Sequence, residues 1–318
     1  MPRIGLVLGA GAIVGSAYLE GALAGLADVT GWDPREADLI VGTSVGAGFG
    51  ATLRAGIDAR VNYRRTVGEP VDPELAARIE GLPPLDLPAP ESLTVPGGRP
   101  HVHRLVPRAF ARWPWRLGLV WTGIRPHGVV PTRPIGDRIR AILPTWPERP
   151  LWVPTLRTSD GTRVVLGRDY VAGDPDPGTA VEASTAVPGF FAPVSIGGAD
   201  HVDGAGHSPT NLDLCAGLGL DLVVALSPMS ADAEALRWSV STAARVYHAR
   251  MLDRESTLVE ASATPVVAFA PGTADLDAMG RLSMDPSRRR LVAESARRTV
   301  AAAARRAPTA ARLRVLGG

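Results

Sequence analysis

The sequence predicts an α/β fold of three layers, with a central, mostly parallel sheet between helices. Three observations predict it. The runs "RIGLVLG" and "ADLIVGTS" are almost continuously apolar, as expected of parallel strands buried on both faces. Each ends in a glycine-rich turn that opens a helical pattern, so residues 1–60 read as strand-turn-helix twice over. The same alternation returns after residue 179, where "DLVVALSP" and "PVVAFAP" have strand character. At 318 residues the chain is long enough to bury a large core, and it reads as one domain over 1–318.

Taken in order, the first strand is centred on Ile4–Leu8. The helix after it sets Tyr18, Leu19, Ala22, Leu23 and Leu26 at helical spacing. After the second strand, "VGAGFGATLRAGI" reads as a helix of small residues that permits close approach to its neighbours. Residues 66–150 change character. "GLPPLDLPAP" and "VPGGRP" exclude long helices and central strands, and "AFARWPWRLGLVWTGIRPHGVVPT" mixes Trp, Arg and Pro. This predicts an irregular cap inserted into the α/β core. Residues 151–171 read as a hairpin turning at Asp160-Gly161. "TAVEASTAVPGFFAPVSI" reads as a helix broken at Pro188, and "HVDGAG" as a short strand or turn. A helix is expected over 231–260, and an Arg- and Ala-rich basic helix over 286–313.

Composition excludes several chemistries. Net charge is +2, which gives no bulk case for nucleic-acid binding. All basic residues apart from histidine are arginine, so a lysine base, a Schiff-base lysine and a P-loop lysine are excluded. The single cysteine, Cys215, lies in an apolar run over 212–222 and reads as core; no intrachain disulfide can form. The N-terminal apolar run is shorter than a signal-peptide core, and no uninterrupted apolar stretch reaches membrane-spanning length. The expected location is the cytoplasm, with peripheral contact to one membrane face.

Three motifs carry chemistry. Gly42-Thr43-Ser44-Val45-Gly46 is a G-x-S-x-G pentapeptide between a strand and a helix. That arrangement raises a serine hydroxyl above the sheet edge, and its glycines make room for the turn and the substrate. Read alone, it also fits a plain glycine-rich turn. "GAGAIVG" over 9–15 follows the first strand, and its amides face whatever binds above the sheet. It reads either as an oxyanion cradle or as a dinucleotide fingerprint on Gly9, Gly11 and Gly15, with Asp28 as the ribose acid. In "HVDGAGHSPTNLDLC", Asp203 precedes the small residues Gly204 and Ala205, which let it approach another loop; an ordinary Asp-Gly turn is the bland alternative.

Four segments in order resemble the patatin-like phospholipase family: "GLVLGAGAIVGSAYLEGAL", "ADLIVGTSVGA", "EASTAVPGFFAPV" and "HVDGAGHSPTNLDLCAGLGLDLVVALSPM". The resemblance implies a Ser-Asp dyad without a catalytic histidine. Ser44 would be the nucleophile, Asp203 the general base, and the amides of Gly11 and Ala12 the oxyanion hole, with Gly9, Gly15, Gly42, Gly46, Gly204 and Ala205 supporting the motifs. It implies an acyl lipid or ester substrate, with neither metal nor organic cofactor. One position departs from the family: a basic residue usually precedes the last glycine of the first motif, and here Val14 stands there.

Other candidates compete. His207 and His248 are the histidines placed to complete a Ser-Asp-His order; His101 and His103 alternate in the cap without an acidic cluster. "FARWPWRLGLVW" suits either a lid over the acyl pocket or a lipid interface, and Pro114, which breaks a continuous amphipathic helix, favours the lid. The basic C-terminal helix reads as a solvated face. Besides the hydrolase, two function classes remain open: a dinucleotide-binding oxidoreductase, and a catalytically weak lipid-binding protein made plausible by Val14. Acyl chain length, headgroup and oligomeric state leave no trace in the sequence.

Overall fold

The computed structural model describes residues 2–83, 102–110, 117–232, 234–235 and 240–317. The first strand, β1 (Ile4–Leu8), is buried along its whole length and leads into α1 (Ala12–Thr30). β2 (Leu39–Gly42) leads into α2 (Val45–Arg54). Five short helices follow: α3 (Ala59–Val67), α4 (Pro73–Glu80), α5 (Val102–Phe110), α6 (Leu117–Ile124) and α7 (Arg133–Ile142). Next come the hairpin β3 (Leu151–Arg157) and β4 (Arg163–Leu166), then α8 (Pro177–Thr185), β5 (Val194–Ile196) and β6 (Ala199–Asp203). The chain closes with β7 (Leu222–Leu226), α9 (Val240–Glu260), β8 (Val266–Phe269), α10 (Thr273–Met279), α11 (Arg289–Ala304) and α12 (Ala307–Leu313).

The strands form one mixed sheet in the order β5-β6-β3-β2-β1-β7-β8, with β4 paired to β3. The five strands from β3 to β8 in this order run parallel, and β4, β5 and β6 extend that core antiparallel. This is the predicted α/β class with a mostly parallel centre. Leu8 pairs with Gly42 on one side and Leu226 on the other, so β1, β2 and β7 end level at one edge. Open α/β sheets bind ligands at such an edge. The same register prepares the meeting of two distant residues. Counting on from the Val41–Trp152 pair puts Ser44 level with Thr155, and Thr155 is the partner of Asp203.

The sheet faces and helices share a core that includes Leu6, Leu8, Tyr18, Leu19, Leu23, Leu26 and Ile40, all fully buried. α1 is long and apolar enough to cross a membrane by composition, yet 72% of that window is buried inside the fold. The reason is α11, which packs along it. A Cβ on Gly21 would stand 2.1 Å from the Ala293 carbonyl oxygen, and one on Gly25 would stand 2.4 Å from that of Arg297. The two backbones approach to a distance that only glycine allows. Gly21→Val is therefore expected to lower stability by about 1–3 kcal/mol through overpacking; the unfolding midpoint in denaturant measures it, and an unchanged midpoint would mean that the helices do not meet this closely.

Three boundaries differ from the sequence reading. The described parts of 66–150 contain helices of at most ten residues joined by non-helical stretches such as 125–132 and 143–150. Pro73 and Pro134 sit in first turns, where no amide is needed, and Pro107 lies inside α5. The runs 84–100 and 111–116, and with them Pro114, lie outside the described residues, as do His101 and the side chain of His103. The basic C-terminal helix is two helices, broken at Arg305-Arg306 before Pro308 starts α12. Its inner face, including Val292, Ala293, Ala296 and Val300, is buried rather than solvated. The 231–260 helix begins, among the described residues, at Val240.

Candidate active site

The turn between β2 and α2 is sharp for a steric reason. Gly42 has no room for a side chain, because a Cβ there would stand 2.5 Å from the Gly46 carbonyl oxygen. A Cβ on Gly46 would stand 2.0 Å from the carbonyl oxygen of Leu8 and 3.0 Å from that of Gly9. The two glycines thus press the start of α2 against the end of β1, and bring the elbow beside the glycine turn of residues 9–12. Ser44, between them, takes φ 57° and ψ −125°, the backbone setting of the first central residue of a type II′ turn. A non-glycine residue held there is strained, and such strain clusters at functional sites.

Three contacts hold the elbow. The Thr43 amide donates to Leu8 O at 3.0 Å. The Ser44 amide donates to Ser184 Oγ at 2.9 Å, and the Ser184 hydroxyl donates to Pro154 O at 2.8 Å. Asn211 Nδ2 donates to Thr43 Oγ1 at 3.1 Å and to Ser208 O at 2.6 Å, while its Oδ1 accepts from Arg163 at 3.1 Å. Ser184 and Asn211 were not singled out from the sequence as site residues. Both lie in segments that were quoted, "EASTAVPGFF" and "SPTN". Small polar side chains beside helix breakers were the available signal, but contacts across 140 and 168 positions leave no periodicity to read.

Asp203 ends β6, and its amide donates to Ala186 O at 3.0 Å. Its carboxylate accepts from the Ala205 amide at 2.8 Å, and the nearby Ser44 hydroxyl favours its ionised form. Gly204 fits because a Cβ there would stand 2.3 Å from Pro154 O. Ser44 and Asp203 are each only 4% exposed. Burial lifts the Asp203 carboxyl to about 7, and these two groups only partly oppose the lift.

The glycine turn contributes backbone donors. The amides of Gly11 and Ala12 have no acceptor among the described residues, whereas that of Val14 donates to Ser283 O at 3.1 Å and that of Gly15 to Gly11 O at 2.8 Å. Gly9 is anchored by its amide to Leu226 O at 2.9 Å, and Gly15 packs on Pro228. The open amides stand at the N-terminus of α1, where the helix dipole adds positive potential. The Val14 side chain is buried in the main core, so no cation occupies that position.

The competing candidates make other contacts. His207 closes the turn after Asp203, its amide donating to Gly204 O. His248, on α9, turns Nδ1 to the Met229 carbonyl at 3.3 Å, and burial pushes its pKa down to about 4. Cys215 is fully buried, and that burial pushes its thiol up to about 12, as suits a core residue. Asp28 is at the far end of α1, ion-paired to Arg297 at 2.8 Å and Arg60 at 3.4 Å. At 1.5 Å per helical residue that is about 24 Å from the glycine turn, out of reach of a ribose held there. Among the described residues no group of three or more His, Cys, Asp or Glu side chains could hold a metal ion.

A strand-elbow-helix serine at the carboxyl edge of a mixed α/β sheet, level in register with a buried aspartate, defines a class of α/β protein rather than a single member. The family model described as patatin-like phospholipase matches residues 6–216, and the chain belongs to that family. No curated protein matches the chain. Among solved structures it is similar to VipD from Legionella pneumophila, at 15% identity and a TM-score of 0.42 over 95% of this chain and 67% of that one. It is also similar to the type III effector protein ExoU, at 19% identity and a TM-score of 0.36 over 99% of this chain and 54% of that one. The chain thus spans about half of the ExoU chain.

Proposed function

We propose that the protein is a serine-dependent lipid acyl hydrolase of phospholipase A type, working through Ser44 and Asp203. The observation that carries this reading is the register that brings Ser44, strained at its elbow, level with the buried Asp203 carboxyl whose ionised form its hydroxyl favours. In the first half-reaction Asp203 takes the hydroxyl proton as Ser44 Oγ bonds to the ester carbonyl carbon. The carbonyl electron pair moves to oxygen, which the amides of Gly11 and Ala12 receive. Collapse of that intermediate expels the alcohol, which takes the proton from Asp203, and leaves an acyl-serine. Water then repeats the sequence, with Asp203 accepting its proton, and releases the fatty acid. A carboxyl lifted to about 7 is a far better proton acceptor than one at its usual value, and at neutral pH it is still ionised in part. The place of work remains the one expected from the sequence, the cytoplasm with peripheral membrane contact.

A fluorophosphonate probe tests the reading. The expected result is a single covalent adduct on Ser44, located by peptide mass mapping, together with hydrolysis of an ester panel. An intact protein that resists the probe would favour the weakly catalytic lipid binder. A nicotinamide-nucleotide complex lost on substitution of Gly11 would favour the oxidoreductase, a reading already weakened by the position of Asp28.

A further inference from the structure

We propose that the outer face of α6 is the surface by which the protein docks on an anionic lipid bilayer, with the Asp203 loop directly beneath it. The proposal rests on the hydrolase reading for its purpose, and its evidence is independent of that reading. α6 has two unlike faces. The inner one carries Leu119, Thr122 and Gly123, all buried. It lies against the turn that follows Asp203: a Cβ on Gly118 would stand 2.5 Å from Gly206 O, and one on Gly206 would stand 2.6 Å from Thr122 Oγ1. Leu119 also packs with Leu156 of β3 and Val202 of β6, so the helix is seated on the sheet edge that presents Asp203.

The outer face carries Leu117, Trp121 and Ile124, which are 44%, 51% and 47% exposed. Their spacing of four and three residues puts them on one stripe. Val129 and Val187 extend the apolar surface. Val187 follows Ala186, whose carbonyl receives the Asp203 amide, so the patch reaches the rim of the site. Of the ten exposed large apolar side chains among the described residues, three stand on this one stripe of α6, which makes it a patch rather than scatter.

Charge selects the occupant. From residue 92 to residue 136 the sequence has seven arginines and neither Asp nor Glu. Among the described ones, Arg125 stacks over the Trp121 ring at 3.8 Å, and its stem lies against Gly189 beside Val187. An amphipathic stripe of Leu, Trp and Ile with Arg125 at its edge suits an apolar-anionic boundary, where Trp sits at headgroup depth and Arg near the surface adds attraction to acidic lipid. A protein partner would meet the same apolar stripe but would not require a segment stripped of acidic residues.

The test uses the full chain, the triple variant Leu117→Ser/Trp121→Ser/Ile124→Ser, and vesicles of phosphatidylcholine with or without phosphatidylglycerol. Sedimentation should show binding of the wild type to the mixed vesicles, weaker binding to pure phosphatidylcholine, and loss of about tenfold or more in the variant. Turnover of a monomeric short-chain ester should change less than about twofold in the variant, since the substituted side chains face away from the Asp203 loop. Equal vesicle binding by wild type and variant would overturn the proposal. So would a wild type that ignores vesicles but self-associates through this face, which would assign the patch to a second copy. Sedimentation does not depend on hydrolysis: a protein that binds mixed vesicles yet is inert toward every ester would sink the hydrolase reading and leave the docking face standing.

Discussion

Replacing Ser44 with alanine is expected to lower kcat for ester hydrolysis by about 10³- to 10⁶-fold while leaving the protein folded. The loss is large because the side chain supplies the atom that bonds to the substrate; the Thr43 hydroxyl is fully buried and bonded to Asn211, and Cys215 is in the core. What survives would come from the open amides of the glycine turn acting on water. A second substitution separates chemistry from architecture. Ser44 sits at φ 57° and ψ −125°, a setting that glycine adopts without strain and alanine does not. Ser44→Gly and Ser44→Ala both delete the hydroxyl that faces Asp203, so their difference isolates the backbone. The glycine variant should be the more stable by about 1–2 kcal/mol in denaturant unfolding, and equally inactive. Equal stabilities would show that the elbow is relaxed. Retention of more than a tenth of wild-type turnover by either variant would remove Ser44 from the mechanism.

What the sequence revealed follows from where its constraints act. β1, β2 and β7 were legible because strands buried on both faces must be apolar throughout, and the local run suffices to see them; β8, at the sheet edge, is apolar with one exposed residue, Ala268. The elbow was legible because its pentapeptide is a local pattern, although only Gly42 is demanded by a neighbour in sequence and Gly46 is demanded by the end of β1. Pairing Ser44 with Asp203 came from the resemblance and not from spacing, since the register through Thr155 that aligns them spans two other strands. Ser184 and Asn211 escaped for the same reason. Each acts on the elbow from a remote segment, and a small polar residue looks alike whether it braces a turn or faces water. The short helices in the described parts of 66–150 were not legible, because proline at a first-turn position starts a helix, and that depends on register the sequence does not display. The division of the C-terminal helix is the converse: Pro308 was visible, and its power to end one helix and open the next was passed over.

Asp203→Asn should produce two opposite effects in one protein. Turnover should fall by about 10²- to 10⁴-fold, because asparagine can face the Ser44 hydroxyl but cannot take its proton. Stability at pH 8 should rise. Burial lifts the folded-state pKa of Asp203 from 3.8 to about 7, so between those values the folded protein holds a proton that the unfolded chain releases. The stabilisation from this neutral carboxyl is fully present below the unfolded value and is lost as pH rises through about 7, where an ionised group must be kept out of water. At about 1.4 kcal/mol per pH unit across that window, the wild type should trail the variant by a few kcal/mol at pH 8, and the two should converge near pH 4. Glu255, also lifted by burial to about 7, titrates in both proteins and cancels from the comparison. The same carboxyl sets the activity profile. Only its ionised form accepts the serine proton, so kcat/KM of the wild type should rise with pH through about 7 and level off above it. Denaturant unfolding of both proteins at pH 4 and pH 8, beside a pH–rate profile of the wild type, tests the argument at two independent points. A stability gap that does not widen with pH would mean that Asp203 is not buried as an uncompensated acid, and a rate that is flat from pH 5 to pH 9 would mean that it is not the base.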